Sequence, residues 1–142
     1  MLADFRSPHY TIDKLDGMLK GVTDGTTVAT LKANLDNESD LVKVYDSSGH
    51  EVTAGVVGTG MTVEYRISGA LKDSLKILVL GDINGDGRIN VGDYTLLRLN
   101  IMEIKDLSGL YAAAGDVNRD GELNVSDYTL IKLDLLNIQK IN

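Results

Sequence analysis

Two twelve-residue stretches repeat one another position by position: Asp82-Ile-Asn-Gly-Asp-Gly-Arg-Ile-Asn-Val-Gly-Asp93 and Asp116-Val-Asn-Arg-Asp-Gly-Glu-Leu-Asn-Val-Ser-Asp127, whose starts lie 34 residues apart. A hard divalent cation such as calcium takes six to eight oxygens at about 2.4 Å, which short polar side chains on alternate residues of a tightly wound loop can supply. Asp82, Asn84 and Asp86 have that spacing, followed by the carbonyl of Arg88, then Asn90 directly or through water, and Asp93 from the first turn of a helix. The second set is Asp116, Asn118, Asp120, the carbonyl of Glu122, Asn124 and Asp127. Gly87 and Gly121 stand sixth, where a positive φ lets the chain double back, and Ile89 and Leu123 follow as apolar pegs. Isolated Asp-Gly or Asn-Gly stretches are ordinarily turns. Chance does not reproduce the oxygen-bearing positions and a peg in register, so two bound calcium ions are expected.

Both loops end in Asp, where an ordinary EF-hand places a Glu that clamps the ion with both oxygens. Before the first loop, Ser74-Leu-Lys-Ile-Leu-Val-Leu80 has the alternation and β-branching of a strand, not of an entering helix. Each repeat is therefore a loop plus an exit helix. Both features, with few Met residues on the helices, weigh against the alternative of a calcium sensor or buffer whose groove opens on binding.

Two D-x-N-x-D-G-x-[IL]-N-V-x-D loops, each followed by Tyr-Thr-Leu-[LI]-[RK]-Leu, resemble a dockerin over roughly Gly81 to Asn142. The resemblance implies an all-α, calcium-dependent module of two pseudo-symmetric loop-helix repeats. It also implies a cohesin partner on a scaffoldin or cell-surface anchoring protein, and a parent secreted into a cellulosome-type assembly. Carried onto matching positions, the cohesin contacts would be Val91, Gly92, Arg98, Leu99 and Glu103, with counterparts Val125, Ser126, Lys132, Leu133 and Asn137. The best-known type I pattern has an early Ser/Thr pair and a later basic pair. Here Val-Gly or Val-Ser stands first and only Arg98 or Lys132 is basic, which points to a type II-like or divergent ruminal-type dockerin. The near match of the two sets suggests that either repeat can face the partner.

At 100° per residue, Tyr94, Leu97, Ile101 and Ile104 form one apolar helix face, mirrored by Tyr128, Ile131, Leu135 and Ile138. This face is expected to be core. Leu96 and Leu99, with Leu130 and Leu133, project away from it as a second stripe, covered either by neighbouring elements or by the partner.

The expected organisation is two modules, residues 1–80 and 81–142. The first is β-rich and sandwich-like with one short helix. Leu41-Val-Lys-Val-Tyr45 alternates, Asp46-Ser-Ser-Gly49 reads as a turn into His50-Glu-Val-Thr53, and Met61 to Ile67 alternates again. Thr26 to Leu35 carries apolar residues at 28, 31 and 35 behind a Thr cap, as a short helix would. This half resembles the accessory X modules that precede some dockerins. No Pro/Ser-rich linker separates Leu80 from Asp82, so a packed unit in which the first module buttresses the second is expected.

Charge and composition exclude other partners. Residues 1–80 hold 11 acidic and 8 basic side chains and residues 81–142 hold 10 and 6, so neither half is basic and nucleic acid is a poor partner. No stretch approaches the ~18 apolar residues of a membrane span, and Met1-Leu2-Ala3-Asp4-Phe5 is not a signal segment, so the chain reads as a fragment of a larger secreted protein. With no Trp and few aromatic residues, residues 1–80 make a weak candidate for a carbohydrate-binding module. His9 and His50 are isolated, and no Ser/His/Asp set or phosphate-cradling loop is present, so no enzymatic centre is expected.

Overall fold

The computed structural model describes residues 4–104, 106–107 and 109–141. Five strands form one mixed sheet in the order β1-β2-β5-β4-β3: β1 (Thr11–Asp13), β2 (Met18–Val22), β3 (Val42–Tyr45), β4 (Thr62–Ile67) and β5 (Ala70–Val79). The β2/β5 pair is parallel and the others are antiparallel. Among the described residues there is no second sheet to make a sandwich. The inner face is closed instead by α1 (Val28–Ala33) and by loop residues such as Val57 and Phe5.

Alternation decides which side chains enter this core. Val63 and Tyr65 of β4 and Val42 and Val44 of β3 point in, while Thr62, Glu64 and Lys43 remain half-exposed. The anticipated hairpin after β3 closes through hydrogen bonds from Asp46 N to His50 O (2.8 Å) and Val52 N to Val44 O (2.7 Å), with a single bridge from Tyr45 to Glu51. The Thr cap of the short helix is Thr27, its hydroxyl accepting from Thr30 N at 3.2 Å. Thr26 is buried and donates its hydroxyl to Thr23 O.

Beyond β5 the described elements are helical: α2 (Val91–Ile101), α3 (Gly109–Gly115) and α4 (Val125–Leu135). They enclose a second core of Leu78, Ile83, Ile89, Leu97, Ala114, Val117 and Ile131. Leu78 belongs to β5, whose other inward residues Leu75, Ile77 and Val79 serve the sheet core, so one strand lines both.

The helix faces depart from simple periodicity. Leu97 and Ile131 are fully buried, but Ile104 and Ile138 are 65% and 69% exposed because each lies beyond its helix. Glu103 and Asn137 adopt φ 59°, and behind them Ile104 N reaches Leu99 O and Ile138 N reaches Leu133 O, both at 2.9 Å. Those are Schellman terminations, which stop each helix before its last apolar position can turn inward. Leu96 and Leu130, of the second stripe, are half-buried against the helical core, so neighbouring elements cover them, one of the two alternatives the sequence left open.

Candidate functional site

Each loop is built by its own backbone N–H groups converging on three carboxylates. In the first, Asp82 Oδ2 accepts from Gly87 N at 2.9 Å and Oδ1 from Gly85 N and Asp86 N at 3.1 Å. Asp86 Oδ1 accepts from Arg88 N, and Asp93 accepts from Asn84 N at 2.9 Å and Asn90 N at 2.8 Å. The second loop repeats this lattice: Asp116 Oδ2 from Gly121 N, Asp120 Oδ1 from Glu122 N, and Asp127 from Asn118 N and Asn124 N. Ligand-capable oxygens of Asp82, Asp86 and Asp93 lie within 4.8 Å of one another, as do those of Asp116, Asp120 and Asp127. Gly87 and Gly121 have φ 85° and 87°, as the sixth position requires.

Three carboxylates gathered this closely repel one another, and in the first loop no described ion pair neutralises them. Burial, with the charges of Asp93 and Asp86 beside it, pushes the Asp82 carboxyl up to about 6 against the pull of the Thr59 and Gly87 N–H groups. Burial likewise raises Asp93 and Asp127. Burial opposes ionisation of Asp86 too, but the Arg88 N–H and the Asn90 amide hold its carboxyl below the ordinary range. The Glu122 N–H lowers Asp120. Such a cluster favours a bound cation, and its all-oxygen donor set suits a hard one such as calcium.

The ninth loop residues do a second job that the loop pattern alone concealed. Asn90 and Asn124 are the N-caps of α2 and α4, their Oδ1 atoms accepting from Gly92 N and Ser126 N at 3.0 Å. Asp93 and Asp127 return the bond to the cap backbone, completing capping boxes. The signal was present in sequence as N-x-x-D. Asn90 also donates its amide to Asp86 Oδ2 at 2.6 Å, so its side chain orients a carboxylate while it caps the helix.

The two loops differ in their surroundings. Asp82 and Gly87 are buried, and Thr59 N adds a further bond to Asp82 Oδ2 at 2.9 Å. Asp116 is half-buried and Asn118 to Glu122 are exposed. Nothing in the repeat pattern signals Thr59.

Away from the carboxylate clusters, matched apolar residues remain exposed: Val91 with Val125, Met102 with Leu136, and Ile104 with Ile138. Met102, Leu136, Ile104 and Ile138 were absent from the sequence-derived contact set. Gly92, Arg98, Glu103, Ser126, Lys132 and Asn137 are exposed, and Leu99 and Leu133 half-exposed. Val91 was grouped with Arg98 by sequence, but a recess of about 210 Å³ is lined by Arg98, Ile101 and Met102 together with Val125 and Tyr128. The end of α2 thus meets the start of α4, and this apolar recess draws on both repeats. Tyr94 and Tyr128, at matched positions, stack with ring centroids 4.2 Å apart.

No helix among the described residues is long and apolar enough to cross a membrane. Comparison with curated proteins finds no match. Residues 80–136 match the family model of the dockerin type I domain. This overturns the type II-like or ruminal-type expectation, which rested on surface positions such as Val91, Gly92 and Leu99, whereas the shared loop and helix framework extends through the whole segment. The match, together with the two gathered carboxylate clusters, supports a dockerin module over residues 80–136; dockerin modules in general bind calcium, dock to cohesin modules and are not themselves catalytic.

Proposed function

We propose that the chain tethers its parent protein to a cohesin-bearing scaffoldin or cell-surface anchor in an extracellular, cellulosome-type assembly, with one calcium ion in each loop. Calcium is structural in this reading. It holds Asp93 and Asp127, and hence the first turns of α2 and α4, so that the exposed pairs on those helices keep a fixed spacing. The observation that carries the reading is the recurrence of the same three-carboxylate lattice and exposed apolar residues at matched positions in both repeats. Residues 1–80 act as a buttress, a reading supported by the contact of Thr59 with Asp82.

Binding to a panel of cohesins, beginning with type I, with calcium and with chelator, tests this directly. Affinity should be lost in chelator and return with calcium. Affinity retained in excess chelator would contradict the role given to the metal. Substituting Arg98 and Leu99 alone should leave substantial binding if both faces serve, and abolish it if only one does.

A further inference from the structure

The two loops have matching ligand sets, yet their outer sides meet different environments. A β-carbon added to Gly58 would stand 2.2 Å from Gly85 O, one on Gly85 2.7 Å from Thr59 O, and one on Gly87 2.7 Å from Val57 O. Backbone therefore lies directly on backbone along this side of the first loop. Two hydrogen bonds cross the contact: Thr59 N to Asp82 Oδ2 and Gly25 N to Gly87 O, both 2.9 Å. At Gly121, the equivalent of Gly87, an added β-carbon would meet nothing within 4 Å. The fourth loop position carries the same asymmetry in sequence. Gly85 has φ 81° under the Thr59 carbonyl, while its counterpart is Arg119 at φ 59°, a side chain that the first loop could not admit.

The segment that makes this contact is anchored to the sheet. Thr59 Oγ1 donates to Val79 O and accepts from Val79 N, at 3.1 and 3.0 Å. Gly60 N donates to Ile77 O, and Val57 N to Thr26 O. Val57 itself is fully buried in the sheet core. On the side equivalent to that contact, the second loop faces the sheet across a crevice of about 300 Å³, with Lys20, Gly21 and Leu78 on one side and Asp116, Arg119 and Gly121 on the other.

We propose that Thr59, with Gly58 and Gly25, forms a positioning clamp that belongs to the first calcium site, so that this site binds calcium first and more tightly while the second is shaped only by its own loop. The clamp holds Asp82 and the turn at Gly87 in binding geometry before the ion arrives, which removes ordering cost from the first site alone. It also removes water from one side of Asp82, which strengthens the attraction of a cation to that carboxylate. Calcium in the first loop is in turn linked to the packing of residues 56–61 on β5, so occupancy there stabilises the sheet as well as the helices.

The inference rests on the calcium reading above, and one experiment separates the two. Calcium is titrated into the full chain by calorimetry while the amide resonances of Gly87 and Gly121 follow each site. Two unequal events are expected, Gly87 responding at the lower calcium concentration. Thr59→Val, which removes both hydroxyl bonds to Val79, should weaken the first site roughly tenfold and leave the second unchanged, and Thr59→Ser should restore it. Gly85→Asn, tolerable at positive φ but driven into the Thr59 carbonyl, should have the same site-selective effect. Equal affinities in the wild type, or a Thr59→Val loss shared by both sites, would overturn the clamp. Absence of calcium binding at either site would overturn the calcium reading itself.

Discussion

Asp82 is a carboxylate with no exposed surface and two like charges beside it. Its folded pKa of about 6 lies above the ordinary 3.8, so without calcium the folded chain holds a proton that the unfolded chain has released between those values. Stability of the calcium-free protein should therefore fall as pH rises through that window. Calcium needs the ionised form, so affinity at the first loop should fall as pH drops below about 6. Carboxyl NMR titration checks both: a midpoint near 6 in chelator, and one displaced well downward with calcium bound. At the same scale the repeat pattern made legible the three Asp carboxylates that each loop gathers, because that chemistry is local. It left Thr59 invisible, since a backbone N–H that reaches Asp82 from 23 residues earlier carries no signature of residue type.

The helices are bounded by matched devices, capping boxes at Asn90/Asp93 and Asn124/Asp127 and left-handed terminations at Glu103 and Asn137. Asn tolerates that conformation better than Glu does. Glu103→Gly should accordingly stabilise the chain by about 1 kcal/mol, read as a higher calcium-loaded melting temperature, whereas Asn137→Gly should change it less. The termination also explains why helical periodicity correctly placed Leu97 and Ile131 in the core but misplaced Ile104 and Ile138. The 100° rule holds only while the helix continues, and Glu103 has no sequence mark of a C-terminal stop as Gly would. The strands at residues 61–67 and 74–80 were legible by alternation, although β5 starts earlier, at Ala70. The single sheet was not, because pairing of β2 with β5 joins segments more than fifty residues apart.

Across the whole molecule, β5 joins the two cores: Leu75, Ile77 and Val79 face one and Leu78 the other. Gly81 N then bonds Ala114 O at 2.8 Å and Ile141 packs over Gly81, so the chain end returns to the start of the first loop. Removing residues 1–75 would strip Thr59 from Asp82 and leave Leu78 without its strand partners. The truncated chain should melt at a lower temperature in calcium than the full one, and an identical melting curve would rule out a buttress.

By itself, the sequence determined the duplicated loops, the three Asp that each one gathers, the helices that follow them and the acidic character of the chain, because each depends on residue type at short spacing. Tertiary structure decided what spacing cannot encode. It brought the end of α2 beside the start of α4, so that Arg98 shares a recess with Val125. It also laid the backbone of residues 56–59 against only one of two near-identical loops, because only the first follows directly from the strand on which that segment is pinned.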